Sequence, residues 1–229
     1  MSYTKGTPSI ITKGLICIFD FQNLNYYKPS TYYSLVGSNK ATTINSPNID
    51  KNNNLILDGL NQYLDLGTIS QNNPLLFANS FNQTLDVWVN LKGQGKDYQR
   101  IIDKSNGNNA LNGYSLMYSP STQKIYYVLN DGVNQTLMGC NFNLYNQWVN
   151  IVIIKDSTQY KMYINKKLSQ QNTGILNFSK TTTNMRIGAY TQSTEKCFQG
   201  SINSIKIYDR ALSPQEVLLN YEALKGRFK

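Results

Sequence analysis

The stretch from Gln199 to Lys229 joins a strand pattern to a sharply started helix, and that junction limits the fold more than any other segment. Ile205 and Ile207 alternate with Ser204, Lys206 and Tyr208, as a strand with one buried face requires. Ile202 falls out of that phase, which predicts a bulge between it and Ile205. Ser213-Pro214-Gln215-Glu216 then starts a helix. The Ser213 hydroxyl can accept the amide of Glu216, the Glu216 carboxylate can accept the amide of Ser213, and Pro214 sits where a helix needs no N–H. Val217, Leu218, Tyr221 and Leu224 form one apolar stripe, and Gly226 is expected to end the helix. A strand running into a short capped helix points to the closing strand of a β-sandwich.

The rest of the chain repeats the strand half of this pattern. Leu85, Val87, Val89 and Leu91 share one phase and Asp86, Trp88 and Asn90 the other; Tyr160, Met162 and Ile164 alternate likewise. Strands are predicted near Leu15–Phe21, Leu55–Asp58, Tyr63–Leu66, Thr84–Leu91, Arg100–Asp103, Tyr114–Tyr118, Lys124–Leu129, Trp148–Lys155, Tyr160–Asn165, Met185–Tyr190 and Phe198–Tyr208. The polar run Asn39–Asn54 and the Gly/Asn stretches Gly93–Asp97 and Ser105–Asn112 read as loops. With 17 Tyr and 8 Phe, and helical periodicity only near the end, the composition is all-β. A chain of 229 residues can bury one sizeable core, so a single domain over residues 14–229 is expected, after a polar arm, Met1–Lys13, that lies outside the core. The strand spacing fits two antiparallel sheets packed face to face. Trp88 and Trp148 lie inside strands and read as core.

The run Gly200-Ser201-Ile202-Asn203-Ser204-Ile205-Lys206-Ile207-Tyr208-Asp209-Arg210-Ala211-Leu212-Ser213 resembles the end of laminin-G-like, concanavalin A-like jelly-roll domains. Further blocks follow the family's order. Gly14–Asp20 is similar to its opening strand, Leu57–Leu66 to its strand pair with an Asp-Gly turn, Thr84–Val89 to its central tryptophan strand, and Trp148–Val152 and Lys161–Asn165 to the next two blocks. The resemblance implies a two-sheet antiparallel jelly-roll sandwich (concanavalin A-like) with a short C-terminal helix. It also marks Asp20 and Asp58 as candidate Ca²⁺ ligands, since many such modules hold that ion through carboxylates and carbonyls. Asn203 stands where relatives often carry an acidic residue, which weakens a hard-cation site. The alternative role for Asp20 and Asp58 is to accept turn amides. The tail Asn220–Phe228 is similar to the ending of versions carried by virion structural proteins of tailed bacteriophages.

The absence of histidine removes Ser-His-Asp and Cys-His arrangements and most catalytic zinc sites. Glucanases of this fold place two Glu on one strand, whereas here Glu216 and Glu222 belong to the terminal helix and Glu195 to a turn. A non-enzymatic protein is therefore expected, without a required cofactor. Cys17, Cys140 and Cys197 are far apart and odd in number, so free core thiols are expected. No stretch approaches the ~18 apolar residues of a membrane helix, and the N-terminus lacks the apolar core of a secretory signal. The net charge of +9 is scattered, with Lys166-Lys167 as the longest basic run, so no nucleic-acid partner is expected.

Binding remains as the mechanism. Tyr26, Tyr27, Tyr32 and Tyr33 follow the first strand and could form a sugar platform or a protein contact, or simply cover the sandwich edge. The resulting expectation is a virion structural protein, made in soluble form in the host cytoplasm and displayed as a capsid decoration, head fibre or tail-associated module. Its partners would be other virion proteins, further copies of itself, and host-surface polysaccharide. A carbohydrate-binding, lectin-like module is the principal alternative, and a glycanase the third.

Overall fold

Alternation along each strand divides its side chains between two faces, and the structure stacks the inward sets of two sheets. The computed structural model describes residues 9–69, 75, 82–106, 112–173 and 183–228. Residues 1–8 of the expected arm and 107–111 of the Ser105–Asn112 turn lie outside these. One sheet runs in the order β15 (Lys167–Asn172), β14 (Tyr160–Ile164), β13 (Trp148–Lys155), β8 (Gln83–Leu91), β17 (Gln199–Tyr208), β6 (Leu55–Asp58) and β5 (Asn48–Ile49), with β1 (Leu15–Asp20) also paired to β17. The other runs β12 (Gln135–Asn141), β11 (Lys124–Asn130), β10 (Gly113–Ser119), β9 (Gln99–Lys104), β16 (Asn184–Ile187), β7 (Tyr63–Thr68), β4 (Lys40–Ile44), β3 (Thr31–Tyr33) and β2 (Tyr27–Lys28). All the strand pairings are antiparallel, and the architecture is the expected jelly-roll sandwich. Among the described residues no helix is long and apolar enough to cross a membrane.

The bulge expected near Ile202 is present. Pairing of β17 with β8 slips between Ile202 and Ser204, leaving Asn203 as the extra residue. Without the slip Ile202 and Ile205 would face opposite ways; with it both join the inter-sheet core beside Leu85, Val87 and Val89. The helix α1 (Pro214–Leu224) begins with the expected reciprocal cap: Glu216 N donates to Ser213 Oγ at 3.3 Å, and Ser213 N to Glu216 Oε2 at 2.9 Å. Arg210 adds two bonds to the same carboxylate, at 2.7 and 2.8 Å, and holds it near pKa 2, well below the usual carboxylate range. Gly226 does not end the helix. The chain passes at Lys225 from α1 into a 3₁₀ turn, Lys225–Phe228, and the turn makes further contacts that an abrupt stop would remove.

Those contacts form a second layer on the outer face of the eight-stranded sheet. Val217 and Leu212 pack there with Leu15, Ile18, Val152, Ile154, Tyr163 and Tyr208. Residues 9–13 belong partly to this layer and not to a free arm. Ile10 and Ile11 pack against it, Ile11 N donates to Asn220 Oδ1 at 2.8 Å, and the Tyr208 hydroxyl donates to Ile11 O at 3.0 Å. Trp88 is buried as expected, yet on this outer face rather than between the sheets, and Trp148 is only half-buried. Phe228 covers both, its ring centroid 4.5 Å from Trp88 and 4.8 Å from Trp148, and Tyr221 stacks on Trp88 at 5.3 Å.

Beneath the helix sits a buried ion pair, Lys206 Nζ to Asp86 Oδ1 at 3.4 Å. Asp86 also accepts Asn150 Nδ2 at 2.7 Å and Asn220 Nδ2 at 3.1 Å, so the helix is tied to the sheet through a carboxylate with no exposure. Burial lowers the pKa of Lys206, and Asp86 opposes that shift.

Sequence reading missed several strands. β4 and β5 fall inside the expected Asn39–Asn54 loop, and β2 and β3 form a hairpin among the tyrosines; β12 is an edge strand. In β15, also an edge, the first five residues are exposed, so no apolar alternation marks it. The three cysteines are free and buried, as expected, and burial raises the thiols to about 12 for Cys17 and about 11 for Cys140 and Cys197.

Candidate functional site

In the strands β9 to β12, a subset of side chains points away from the core, and this subset is unusually apolar and aromatic. Ile125, Tyr127 and Leu129 of β11 face inward, which leaves Tyr126 and Val128 on the outer surface. Met117 of β10 packs beside Val128, and Leu137 of β12 remains 49 % exposed. Gly139 lies opposite Tyr126 in the ladder, and a Cβ there would come within 3.1 Å of the Tyr126 ring, so the glycine makes room for it. Together with Tyr98, Arg100, Gln135 and Lys196 these residues line a cleft of about 310 Å³.

A bulge brings Arg100 to this face. Pairing of β10 with β9 slips so that Leu116 faces Ile102 but Met117 faces Arg100, which sends both Ile101 and Ile102 into the core and Arg100 outward. Arg100 is only 1 % exposed. Its Nε lies 3.4 Å from Asp103 Oδ1, and its Nη1 donates to the carbonyl of Tyr98 at 2.7 Å. Asp103 is itself held by Ser105 Oγ and by the amide of Thr191 at 3.0 Å. Burial depresses the Arg100 pKa, while Asp103 and Tyr190 favour its charge.

Tyr98 has φ +57°, a left-handed conformation uncommon for a bulky residue. Such backbone is retained only where neighbours over-determine it, and here the buried guanidinium fastens its carbonyl. The Tyr98 ring is 43 % exposed and lies 6.0 Å from that of Tyr126. Lys196 reaches the same place on the segment leading back to β17: Arg100 N donates to Lys196 O at 3.0 Å, and Lys196 Nζ sits 5.9 Å from the Tyr98 ring and 5.7 Å from Tyr190. The result is a shallow trough with two tyrosine rings, aliphatic floor residues, one amide and two cations. Such a mixture suits a ligand with both apolar C–H faces and polar edges.

The tyrosines singled out in the sequence lie at the other edge of the same sheet. Tyr26, Tyr27 and Tyr33 are each about 40 % exposed, but Tyr32 is 4 % exposed and packs edge-on against Phe21 at 5.0 Å. Tyr27 leans on Tyr32 at 4.6 Å, and Lys28 lies over Tyr33 at 5.3 Å. The four therefore do not share one open platform. Nor does the structure bring Asp20 and Asp58 together. They pair with Ser204 and Gln199 respectively, five positions apart along β17, or roughly 17 Å at ~3.4 Å per residue. Asp20 accepts both Arg227 Nη1 and Nη2 at 2.9 Å, and Asp58 Oδ1 accepts the amides of Leu60, Asn61 and Gln62. Asn203 bonds to Asn54 at 2.8 Å and to Arg227 at 3.3 Å. Among the described residues no group of three or more His, Cys, Asp or Glu side chains is placed to hold a metal.

A sequence model of the concanavalin A-like lectin/glucanases superfamily matches residues 58–218. The chain belongs to this superfamily. The matched residues include the cleft strands and the capped start of α1, and leave out β1 and the last ten residues of the described chain. No curated protein matches the sequence.

Solved structures place the superfamily fold in larger proteins. The receptor-binding domain of botulinum neurotoxin D is similar with a TM-score of 0.72 at 16 % identity, over 91 % of this chain and 52 % of that one. The receptor-binding domain of the C/D mosaic serotype gives 0.71 at 16 %, over 91 % and 51 %. Trypanosoma rangeli sialidase gives 0.70 at 15 %, over 96 % and 34 %. The chain thus spans about half of the toxin domains and about a third of the sialidase. At these identities the likeness is one of fold.

Proposed function

We propose that this superfamily sandwich is a non-catalytic saccharide-binding domain whose ligand lies in the cleft lined by Tyr98 and Tyr126, and that it is displayed on the particle of a tailed phage. The observation that carries the binding reading is the strained Tyr98, held by buried Arg100 so that its ring lies beside that of Tyr126, 6.0 Å away, along the trough. Tyrosine faces pack against the C–H faces of sugar rings, while Gln135 and Lys196 supply donors to hydroxyls. The non-catalytic part is supported by the use of glutamates elsewhere: Glu216 caps α1, and Glu222 pairs with Lys166 and Lys225.

Each ring that covers ~60 Å² of apolar surface contributes about 1.5 kcal/mol at ~25 cal/mol per Å², or about tenfold in affinity. Tyr98→Ala and Tyr126→Ala are each expected to weaken saccharide binding on a glycan array by about that factor, while Tyr26→Ala leaves it unchanged. An array signal indifferent to both cleft substitutions would remove this reading.

The particle reading draws on the tail Asn220–Phe228, whose sequence is similar to the ending of virion proteins. Geometry is compatible with display. Residues 9–13 and α1 lie on the outer face of the eight-stranded sheet, and the cleft on the outer face of the other, so attachment through the first would leave the second turned outward. Immunogold labelling of intact phage particles is expected to decorate capsid, neck or tail; unlabelled particles would sink the virion role and leave the binding role standing.

A further inference from the structure

We propose that the cleft selects anionic saccharides, with Lys196 as the residue that meets the carboxylate or sulfate. This deepens the reading of the cleft as the saccharide site and rests on it. Two cations line the trough, Arg100 and Lys196, and their positions differ in kind. Arg100 is buried, its charge answered from behind by Asp103 at 3.4 Å and its Nη1 occupied by the Tyr98 carbonyl. It shapes the wall and adds to the local potential. Lys196 is half-buried at the rim, its ammonium near the rings of Tyr98 and Tyr190, and among the described residues it forms no ion pair.

The surrounding carboxylates do not supply one. Asp103 is engaged by Arg100, Ser105 and Thr191, and Asp97, near the base of Tyr98, accepts Ser119 Oγ at 2.7 Å and Ser121 Oγ at 2.6 Å. Glu195 precedes Lys196 on an exposed turn and acts on it only at longer range. Burial and the neighbouring Arg100 disfavour the Lys196 charge by more than Glu195 and Asp103 favour it, and an anion arriving in the trough would offset the difference. A ligand with an apolar face for the tyrosines and an acidic group at the Lys196 end matches this arrangement; a neutral sugar would leave the ammonium partly desolvated without a counter-charge in direct contact.

The competing explanation is general attraction of polyanions to a chain of net charge +9, which would not depend on where a lysine sits. Calorimetric titration of the full chain with matched short oligosaccharides separates the two: trigalacturonate against galactotriose, sialyllactose against lactose, and sulfated against unsulfated lactose. In at least one pair the acidic member is expected to bind about tenfold tighter or more, the size of one charge-assisted hydrogen bond. Which pair responds tells carboxylate from sulfate. Lys196→Gln is expected to abolish that margin by weakening the acidic member down to the level of its neutral partner, whereas Lys51→Gln, which removes the same charge from the turn between β5 and β6, keeps it. Equal affinity within every pair overturns the inference, and if Tyr98→Ala still weakens binding, the cleft survives as a neutral-sugar site. Equal loss in the two lysine variants also overturns it, in favour of bulk charge. Absence of binding to every probe, or binding untouched by Tyr98→Ala, removes the anion preference together with the cleft reading.

Discussion

Asp86→Ala is expected to destabilise the domain by about 3–5 kcal/mol, the usual cost of stranding one half of a buried ion pair. Asp86 and Lys206 are both essentially inaccessible, and Asp86 also holds the amides of Asn150 and Asn220. Its removal leaves the Lys206 ammonium with Ser204 Oγ at 3.5 Å and cuts one tie between α1 and the sheet. The double variant Asp86→Ala/Lys206→Met carries no charge beneath the helix and is expected to recover most of the loss, because the pair as a unit contributes little beyond what an apolar replacement would. Urea unfolding of wild type, both single variants and the double variant measures the coupling. A loss below about 1 kcal/mol for Asp86→Ala, or a double variant as weak as that single one, would contradict this account of the outer layer.

Gly188→Ala is expected to cost about 2–6 kcal/mol, from two additive sources. The residue has φ +88°, where a side chain adds about 1–3 kcal/mol of backbone strain, and its Cβ would stand 2.2 Å from Leu57 Cδ1, where overpacking adds about 1–3 kcal/mol more. Its backbone also joins the sheets' margins, since Gly188 N donates to Ile101 O at 3.0 Å and its carbonyl accepts Phe198 N at 2.8 Å. Those bonds open and close the segment that carries Lys196 to the cleft, so saccharide affinity should fall along with stability. Gly67→Ala isolates the strain, because Gly67 has φ +72° but a methyl group added there would meet no atom within 4 Å. If unfolding shows the two variants equally destabilised, the Leu57 contact is not what requires glycine at 188.

The parts of the fold that were legible in sequence are those where one local rule decides. Ser213 and Glu216 satisfy each other three residues apart, and the phase error at Ile202 can only be resolved by an extra residue, which is Asn203. Where apolar alternation is absent, reading failed: β15 is an exposed edge whose place is set by pairing to β14, and β4 owes its position to Ala41 and to its pairing with β7. The Ile10-Ile11 pair was the overlooked signal that the expected arm has an apolar contact.

The cleft was harder to see because its residues come from distant positions and one bulge. Apolar outward residues on neighbouring predicted strands, Met117 and Val128, were a readable hint of an outer patch. Arg100 could not be placed by alternation, since the slip at Ile101 inverts its face, and Tyr98 and Lys196 reach the site only through tertiary pairing of their segments. The tyrosine cluster after β1 is split for the opposite reason. Closeness in sequence concealed that Tyr32, paired with Ala41 in the sheet, must turn its ring inward.

Both tryptophans of this chain pack against Phe228, on the side of the sandwich away from the cleft. Their emission is therefore an optical gauge of whether the last turn is seated. A saccharide entering the Tyr98–Tyr126 trough would leave that signal still, so ligand titrations need a different readout, whereas fraying of the C-terminal turn would register in it before the inter-sheet core opens.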